Sequence, residues 1–219
     1  MASQKAVRLD LKDAEAHSNL GLILFKLNRF YDAEVSCKKA IELKTDYAEA
    51  HNNLGITLQH LNKLEEAEAS YKKAIKLKPD FVAAHYNLGS TLNKLNRFED
   101  SESSYRKAIE LKPDFVEAYY NLGITQKKLG KLEEAETSYK KALKINPDLD
   151  FLFGSLFFAK NILCDWQHYE KNIKIIKDKI FRNKKISTPF SILSIYDSPE
   201  LQKISAEIWI KEKFSGKKL

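Results

Sequence analysis

The chain has 219 residues, of which 43% are hydrophobic, and it carries a formal net charge of +7. This hydrophobic fraction is ample for one elongated domain with a small extra segment, and 7 glycines and 5 prolines exclude a long flexible linker. The longest apolar run, Phe151 to Ala159, is far shorter than the roughly 20 residues that cross a membrane, so we expect no membrane partner.

The first residues bear on the location of the protein and on whether its first repeat is truncated. They carry charge without an apolar core, which argues against a secretory signal. Cys37 and Cys164 are too few for a disulfide framework, so we expect a reducing, cytoplasmic setting. Residues 1–13 align with the second helix and turn of a repeated unit described next. We expect the chain to be shortened relative to its relatives, although the start of a small natural protein would look the same.

A unit of thirty-four residues then recurs four times, at 14–47, 48–81, 82–115 and 116–149. Its clearest marker is a glycine at one fixed position: Gly21, Gly55, Gly89 and Gly123. A constant period of this length indicates a helix-turn-helix unit that stacks on copies of itself.

Each unit reads as two helices. A polar break such as Asn62-Lys63 ends the first helix, and a proline such as Pro79 ends the second because it has no N–H donor and clashes with the preceding turn. We expect small residues of the second helix to lie against the glycine of the first: Ala33, Ala67, Ser101 and Ala135.

These residues resemble the tetratricopeptide repeat, in which the aromatic seen here at Tyr71, Tyr105 and Tyr139 also recurs. The usual early tryptophan is replaced by His17, His51, His85 and Tyr119. The resemblance covers residues 14–149 and implies an all-α fold. We therefore predict a right-handed α-solenoid of tetratricopeptide helix pairs with a degenerate helical C-terminal extension.

A second constant position carries asparagine: Asn19, Asn53, Asn87 and Asn121. It lies two residues before the glycine, so the two side chains point about 200° apart around the helix. In the tetratricopeptide fold this places a row of amides on the concave surface, where an amide can both donate to and accept from a peptide backbone. The alternative is that each asparagine bonds its neighbours and only orders the stack. Seven residues later come further predicted peptide contacts: Lys26, His60, Lys94 and Lys128.

The positive charge has a structural explanation. Four glutamates precede a basic residue by four positions on the second helices, the favourable order for a helical ion pair: Glu34, Glu68, Glu102 and Glu136. We interpret these charges as a solvated outer surface and expect no nucleic-acid partner.

Residues 150–183 read as a degenerate helix pair that turns at Cys164-Asp165, and 184–219 as a linker and a terminal helix that starts near Pro199. Several motifs carry a second resemblance, to the junction between repeats and catalytic region in O-GlcNAc transferase and SPINDLY-like proteins of bacteria: Cys164-Asp165-Trp166, Tyr169, Pro189-Phe190-Ser191 and 197–202. That family's asparagine ladder holds protein substrates, but its catalytic lobes have no counterpart here.

The sequence thus predicts a protein-interaction module that binds extended peptide segments. The alternative is the substrate-presenting part of a glycosyltransferase of that family, inactive without the catalytic lobes. We identify no catalytic residue, cofactor or metal site, since the histidines lack the partners of a base or a ligand set. The large apolar residues after 150 predict partial capping of the last repeat with a loosely packed final helix, and self-association through an exposed end is the alternative.

Overall fold

The computed structural model describes residues 13–193 and 197–214, so the truncated unit predicted at 1–13 lies outside it except for Asp13. Within these ranges there are twelve helices. They are α1 (Ala14–Lys26), α2 (Phe30–Leu43), α3 (Ala48–His60), α4 (Leu64–Leu77), α5 (Val82–Lys94), α6 (Phe98–Leu111), α7 (Val116–Lys128), α8 (Leu132–Ile145), α9 (Leu152–Ile162), α10 (Tyr169–Phe181), α11 (Pro189–Leu193) and α12 (Pro199–Phe214).

The predicted all-α fold of consecutive helix pairs is confirmed, and the described residues contain no strand. Each tight turn inside a pair contains one residue with a left-handed backbone: Asn28, Asn62 and Asn96 at φ between 58° and 60°, and Gly130 at 74°. Asparagine and glycine tolerate this conformation best, which explains why the polar break ends each first helix. The helices divide into an N-terminal unit, Met1–Pro113, and a C-terminal unit, Asp114–Leu219.

In three of the four repeats, the glycine makes room for a buried tyrosine ring. A methyl group on Gly55 would lie 2.6 Å from Cε1 of Tyr71, and one on Gly123 would lie 2.5 Å from Cε1 of Tyr139. The small residue expected against the glycine is also close at Gly89, whose carbonyl accepts a 2.7 Å hydrogen bond from Ser101. The main contact is therefore between glycine and tyrosine, and Cys37 replaces the tyrosine in the first pair.

The predicted ion pairs on the second helices form, and two of them also join neighbouring pairs of the N-terminal unit. Glu68 accepts from Lys72 at 2.7 Å and from Arg97 of the next pair at 2.8 Å. Glu34 is held in the same way by Lys38 and Lys63. Burial alone would raise the pKa of Glu68, but its two cationic partners outweigh burial and hold the pKa below its ordinary value.

In the C-terminal unit, α9 covers the last repeat. Leu152 and Leu156 of α9 pack with Tyr139 of α8 in one core. A second core contains Phe157 of α9 and Leu201 of α12, with Leu201 2% exposed. The extension therefore caps the repeat as expected, but the final helix is anchored by a buried leucine and is not loosely packed.

The linker after α10 runs against the start of α9. The amides of Phe151 and Gly154 donate to the carbonyls of Lys185 and Ile186, which satisfies N–H groups that have no partner within the helix. A methyl group on Gly154 would lie 2.6 Å from Cα of Ser187, so glycine is needed for this close approach.

We predict that the pairing of Glu68 with Arg97 stabilises the fold near neutral pH and not in strong acid. A carboxylate whose pKa is depressed in the folded state contributes stability above its unfolded pKa, and loses it as the pH falls through the folded value. A double-mutant cycle of Glu68→Gln and Arg97→Gln in urea should give a favourable coupling at neutral pH that is lost in strong acid, once the pH has fallen below the depressed folded-state pKa of Glu68.

The exposed pair Lys39 and Glu42, with nitrogen and oxygen 3.0 Å apart, is the matched control. Its cycle should give a coupling near zero at both pH values. A coupling for Glu68 and Arg97 that is unchanged in acid would contradict the ionic account.

We also predict that Gly55→Ala destabilises the chain by about 1–2 kcal/mol. Overpacking against the fully buried Tyr71 ring costs about 1–3 kcal/mol and exceeds the gain of up to about 1 kcal/mol in helix propensity. Adding Tyr71→Ala removes the ring and should relieve the clash. Urea unfolding of the double variant should then show a smaller loss than the sum of the single changes, whereas strict additivity would contradict the proposed contact.

Candidate functional site

The first helices of the N-terminal unit, α1, α3 and α5, contact one another in succession. We call the surface that they share the inner face. It carries three of the predicted peptide contacts from the asparagine row: Asn19, Asn53 and Asn87. Asn19 is exposed, and Asn53 and Asn87 are half-buried. The structure thus brings these three asparagines to one face of one unit, while Asn121 lies on α7 in the C-terminal unit.

Two of these asparagines join neighbouring first helices. The amide nitrogen of Asn53 donates to the hydroxyl of Ser18 at 3.1 Å, and that of Asn87 donates to the side-chain oxygen of Asn52, also at 3.1 Å. We call these bonds the rungs. The ordering role that the sequence left open is therefore present in the structure. Each rung uses one N–H, so the second N–H and the side-chain oxygen of both asparagines can still serve a ligand.

The sequence did not identify the rung acceptors as site residues. Ser18 and Asn52 each lie one position before an asparagine of the row and thirty-five residues before the donor that they receive. The spacing of thirty-five was the available signal, because it places a polar side chain of each pair next to the asparagine of the following one.

The other predicted residues of the inner face differ from one another. Lys26 and Lys94 are exposed at the ends of α1 and α5. His60 stacks on Phe30 with ring centroids 5.2 Å apart and meets Phe25 edge-on at 4.6 Å. Partial burial, and then repulsion from Lys94, lowers the pKa of His60, which favours the neutral imidazole. His60 thus belongs to an aromatic cluster at the end of α3.

The C-terminal unit repeats the pattern with different side chains. Ser155 of α9 comes thirty-four residues after Asn121 and occupies the asparagine position of the degenerate pair. Its hydroxyl lies 3.4 Å from that of Tyr120 on α7, at the same spacing of thirty-five residues as the rungs. Lys128, the last predicted peptide contact, is exposed at the end of α7. The register of the repeat therefore continues into the extension.

Two histidines at the position of the missing tryptophan serve the turns between helix pairs. One ring nitrogen of His51 lies 3.2 Å from the carbonyl oxygen of Thr45, and one of His85 lies 2.9 Å from that of Pro79. Residues 13–193 and 197–214 contain no cluster of histidine, cysteine and carboxylate side chains that could hold a metal ion. None of the described helices has the length and apolar character needed to cross a membrane.

We predict that the rung between Ser18 and Asn53 stabilises the N-terminal unit. In a double-mutant cycle, Ser18→Ala and Asn53→Ala remove the same hydrogen bond, so the second change should cost about 0.5–1.5 kcal/mol less once the first is present. Urea unfolding followed by circular dichroism measures this coupling. Strictly additive losses would show that the rung contributes nothing to stability.

Family models identify the repeats. A model described as tetratricopeptide repeat matches residues 14–47, 48–81 and 116–149. A TPR repeat model matches 89–130, and a further tetratricopeptide repeat model matches 70–103. Together they cover residues 14–149 without a gap, which is more than half of the chain. No curated protein gives a significant match.

Solved structures show the same fold. The chain is 29% identical to MamA over 67% of its length and 85% of that chain, with a TM-score of 0.62. It is 20% identical to YrrB, described as a TPR protein with an unusual peptide-binding site, over 94% of its length and 98% of that chain, with a TM-score of 0.67. It is 19% identical to PilF of Pseudomonas aeruginosa over 99% of its length and 95% of that chain, with a TM-score of 0.72.

Proposed function

The chain belongs to the tetratricopeptide-repeat family, and from this premise we propose that it is a protein-interaction module that binds an extended peptide segment on its inner face. The observation that carries the proposal is the asparagine row. Asparagine is a mediocre helix former that competes for backbone groups, yet it occupies the same helical position in all four repeats. A role in the stack explains one N–H of Asn53 and of Asn87, and it leaves their remaining polar groups for a ligand.

An extended peptide fits these groups because each of its residues presents an N–H and a C=O. An asparagine side chain can bond both without selecting the ligand's side chains, so the proposed binding is tolerant of sequence. The peptide-binding site named in the description of YrrB is consistent with this use of the fold. We include all eight predicted contacts in the proposal: Asn19, Asn53, Asn87, Asn121, Lys26, His60, Lys94 and Lys128.

A mixed charge on the inner face also favours a peptide over nucleic acid. Glu49 at the start of α3 lies on the same helix as Asn53, and its carboxylate pairs with Lys78 at 3.3 Å. Other basic residues are neutralised in the same way, since Glu68 pairs with Lys72 on its own helix and with Arg97 just before α6. The absence of a nucleic-acid partner and the cytoplasmic location remain predictions from the sequence.

The proposal is tested with an array of short random peptides probed with the full chain. The tightest-binding peptides are then measured in solution against the wild type and the double variant Asn53→Ala/Asn87→Ala. Losing about two hydrogen bonds to the ligand should weaken binding roughly tenfold or more.

Ser18→Ala is the matched control, because it breaks a rung and leaves Asn53 in place. It should lower stability and keep the affinity of the wild type. Equal affinities for the wild type and the double asparagine variant would contradict the role of the row, and failure of the wild type to bind any peptide would contradict the proposed function.

A second candidate is the substrate-presenting part of a glycosyltransferase like O-GlcNAc transferase. The observation that favours it is that aromatic residues of the junction-like segment pack against one another. Trp166 meets Tyr169 edge-on with ring centroids 5.3 Å apart, and Tyr169 packs on the buried Phe157 at 5.4 Å. A junction of this kind would hold a following catalytic region in a fixed position.

The two candidates differ in the size of the native protein. An immunoblot of source cells with an antibody against the repeats should show a band several times larger than 25.2 kDa if the second candidate is correct. A band near 25.2 kDa would contradict the second candidate and favour the interaction module.

A further inference from the structure

The C-terminal unit has an exposed aromatic surface next to Ser155. Phe158 follows Ser155 by one helical turn, and Ile162 follows Phe158 by another. Phe190 of α11 packs edge-on against Phe158 with ring centroids 6.0 Å apart, yet it is 70% exposed, and Leu193 of α11 is 59% exposed. We call this surface the aromatic patch: Phe158, Ile162, Phe190 and Leu193.

A lysine with no anionic partner borders the aromatic patch. Nζ of Lys127 lies 5.1 Å from the centre of the Phe158 ring. The side chain is half-buried, and burial, followed by repulsion from Lys128, lowers its pKa. Across residues 13–193 and 197–214, no carboxylate forms an ion pair with Lys127. A partly dehydrated ammonium without an anion is unfavourable, so an incoming carboxylate would gain more here than at an exposed lysine.

The repeat position of Lys127 carries no cation in the earlier repeats, where it holds Phe25, Gln59 and Asn93. The position of Phe158 holds Ile56, Ser90 and Ile124. Gln59 and Ser90 form a hydrogen bond of 3.2 Å, so the contact between successive first helices does not need a cation. The cation is a local feature of the C-terminal unit, and packing of the repeat alone does not account for it.

We propose that Lys127 and the aromatic patch bind an acidic residue and an adjacent bulky aromatic or aliphatic residue of a peptide ligand. The carboxylate pairs with the Lys127 ammonium, and the apolar side chain covers Phe190. This inference rests on the proposed function and narrows its ligand class, since the asparagine row alone does not select side chains.

The test uses the full chain and four fluorescein-labelled peptides with one glycine-serine background. Their central pairs are Asp-Phe, Asp-Ala, Lys-Phe and Lys-Ala, and fluorescence anisotropy measures each affinity. We expect the wild type to bind the Asp-Phe peptide about tenfold more tightly than the Lys-Phe peptide. Lys127→Met should remove the preference for aspartate and keep that for phenylalanine, and Phe190→Ser should do the reverse.

The controls separate folding from binding. Phe190 is mostly exposed and Lys127 half-exposed, so both variants should keep the circular dichroism spectrum of the wild type. Lys141→Met removes an exposed charge from α8 and should bind all four peptides as the wild type does.

The outcomes distinguish this inference from the proposed function. If array-selected peptides bind and depend on Asn53, but Lys127→Met and the wild type show the same preferences among the four probes, the inference is overturned and the proposed function stands. If the wild type binds no peptide, both are overturned. A third outcome is that the wild type self-associates in sedimentation velocity, Phe190→Ser does not, and the wild type shows no preference among the probes. The patch would then bind a second copy of the chain, and the inference would also be overturned.

Discussion

The fold depends on how closely the two helices of each pair can approach each other. Glycine on the first helix lets a tyrosine ring of the second lie directly against the backbone, as Gly55 and Tyr71 show. The ring then fills the space between the helices and shares one core with Leu54 of its own pair and Leu88 of the next pair. Because the glycine recurs every thirty-four residues, each first helix presents the same side to its neighbours, and a single side-chain type can form a row.

The inner and outer surfaces join successive pairs in different ways. On the outside, the buried carboxylates of Glu34 and Glu68 each collect one cation from their own helix and one from the next pair. On the inside, neutral hydrogen bonds donated by Asn53 and Asn87 join each first helix to the preceding one. Because the rungs are neutral, an extended ligand can bond to these asparagines without first displacing an ion pair.

Features set by local chemistry could be predicted from the sequence, and features set by the register between elements could not. The left-handed turns at Asn62 and the ion pair of Glu68 with Lys72 depend on neighbours in sequence or on one helix. The partner of Asn53 and the second cation of Glu68 depend on how one pair is rotated against the next. The role of Gly154 depends on the path of the linker past Ser187, which periodicity does not reveal. Sequence also placed His60 among the peptide contacts without its aromatic neighbours, Phe25 and Phe30, because those come from the preceding pair.

The central claim is that the asparagine amides of the inner face bind the ligand directly. Nuclear magnetic resonance of the full chain, titrated with an array-selected peptide, reports on the side-chain amide protons of each asparagine. The account predicts that the resonances of Asn19, Asn53 and Asn87 shift together as the peptide is added, while exposed Asn146 after α8 stays unchanged. Shifts confined to residues of the second helices, with the three asparagine amides unperturbed at saturation, would contradict it.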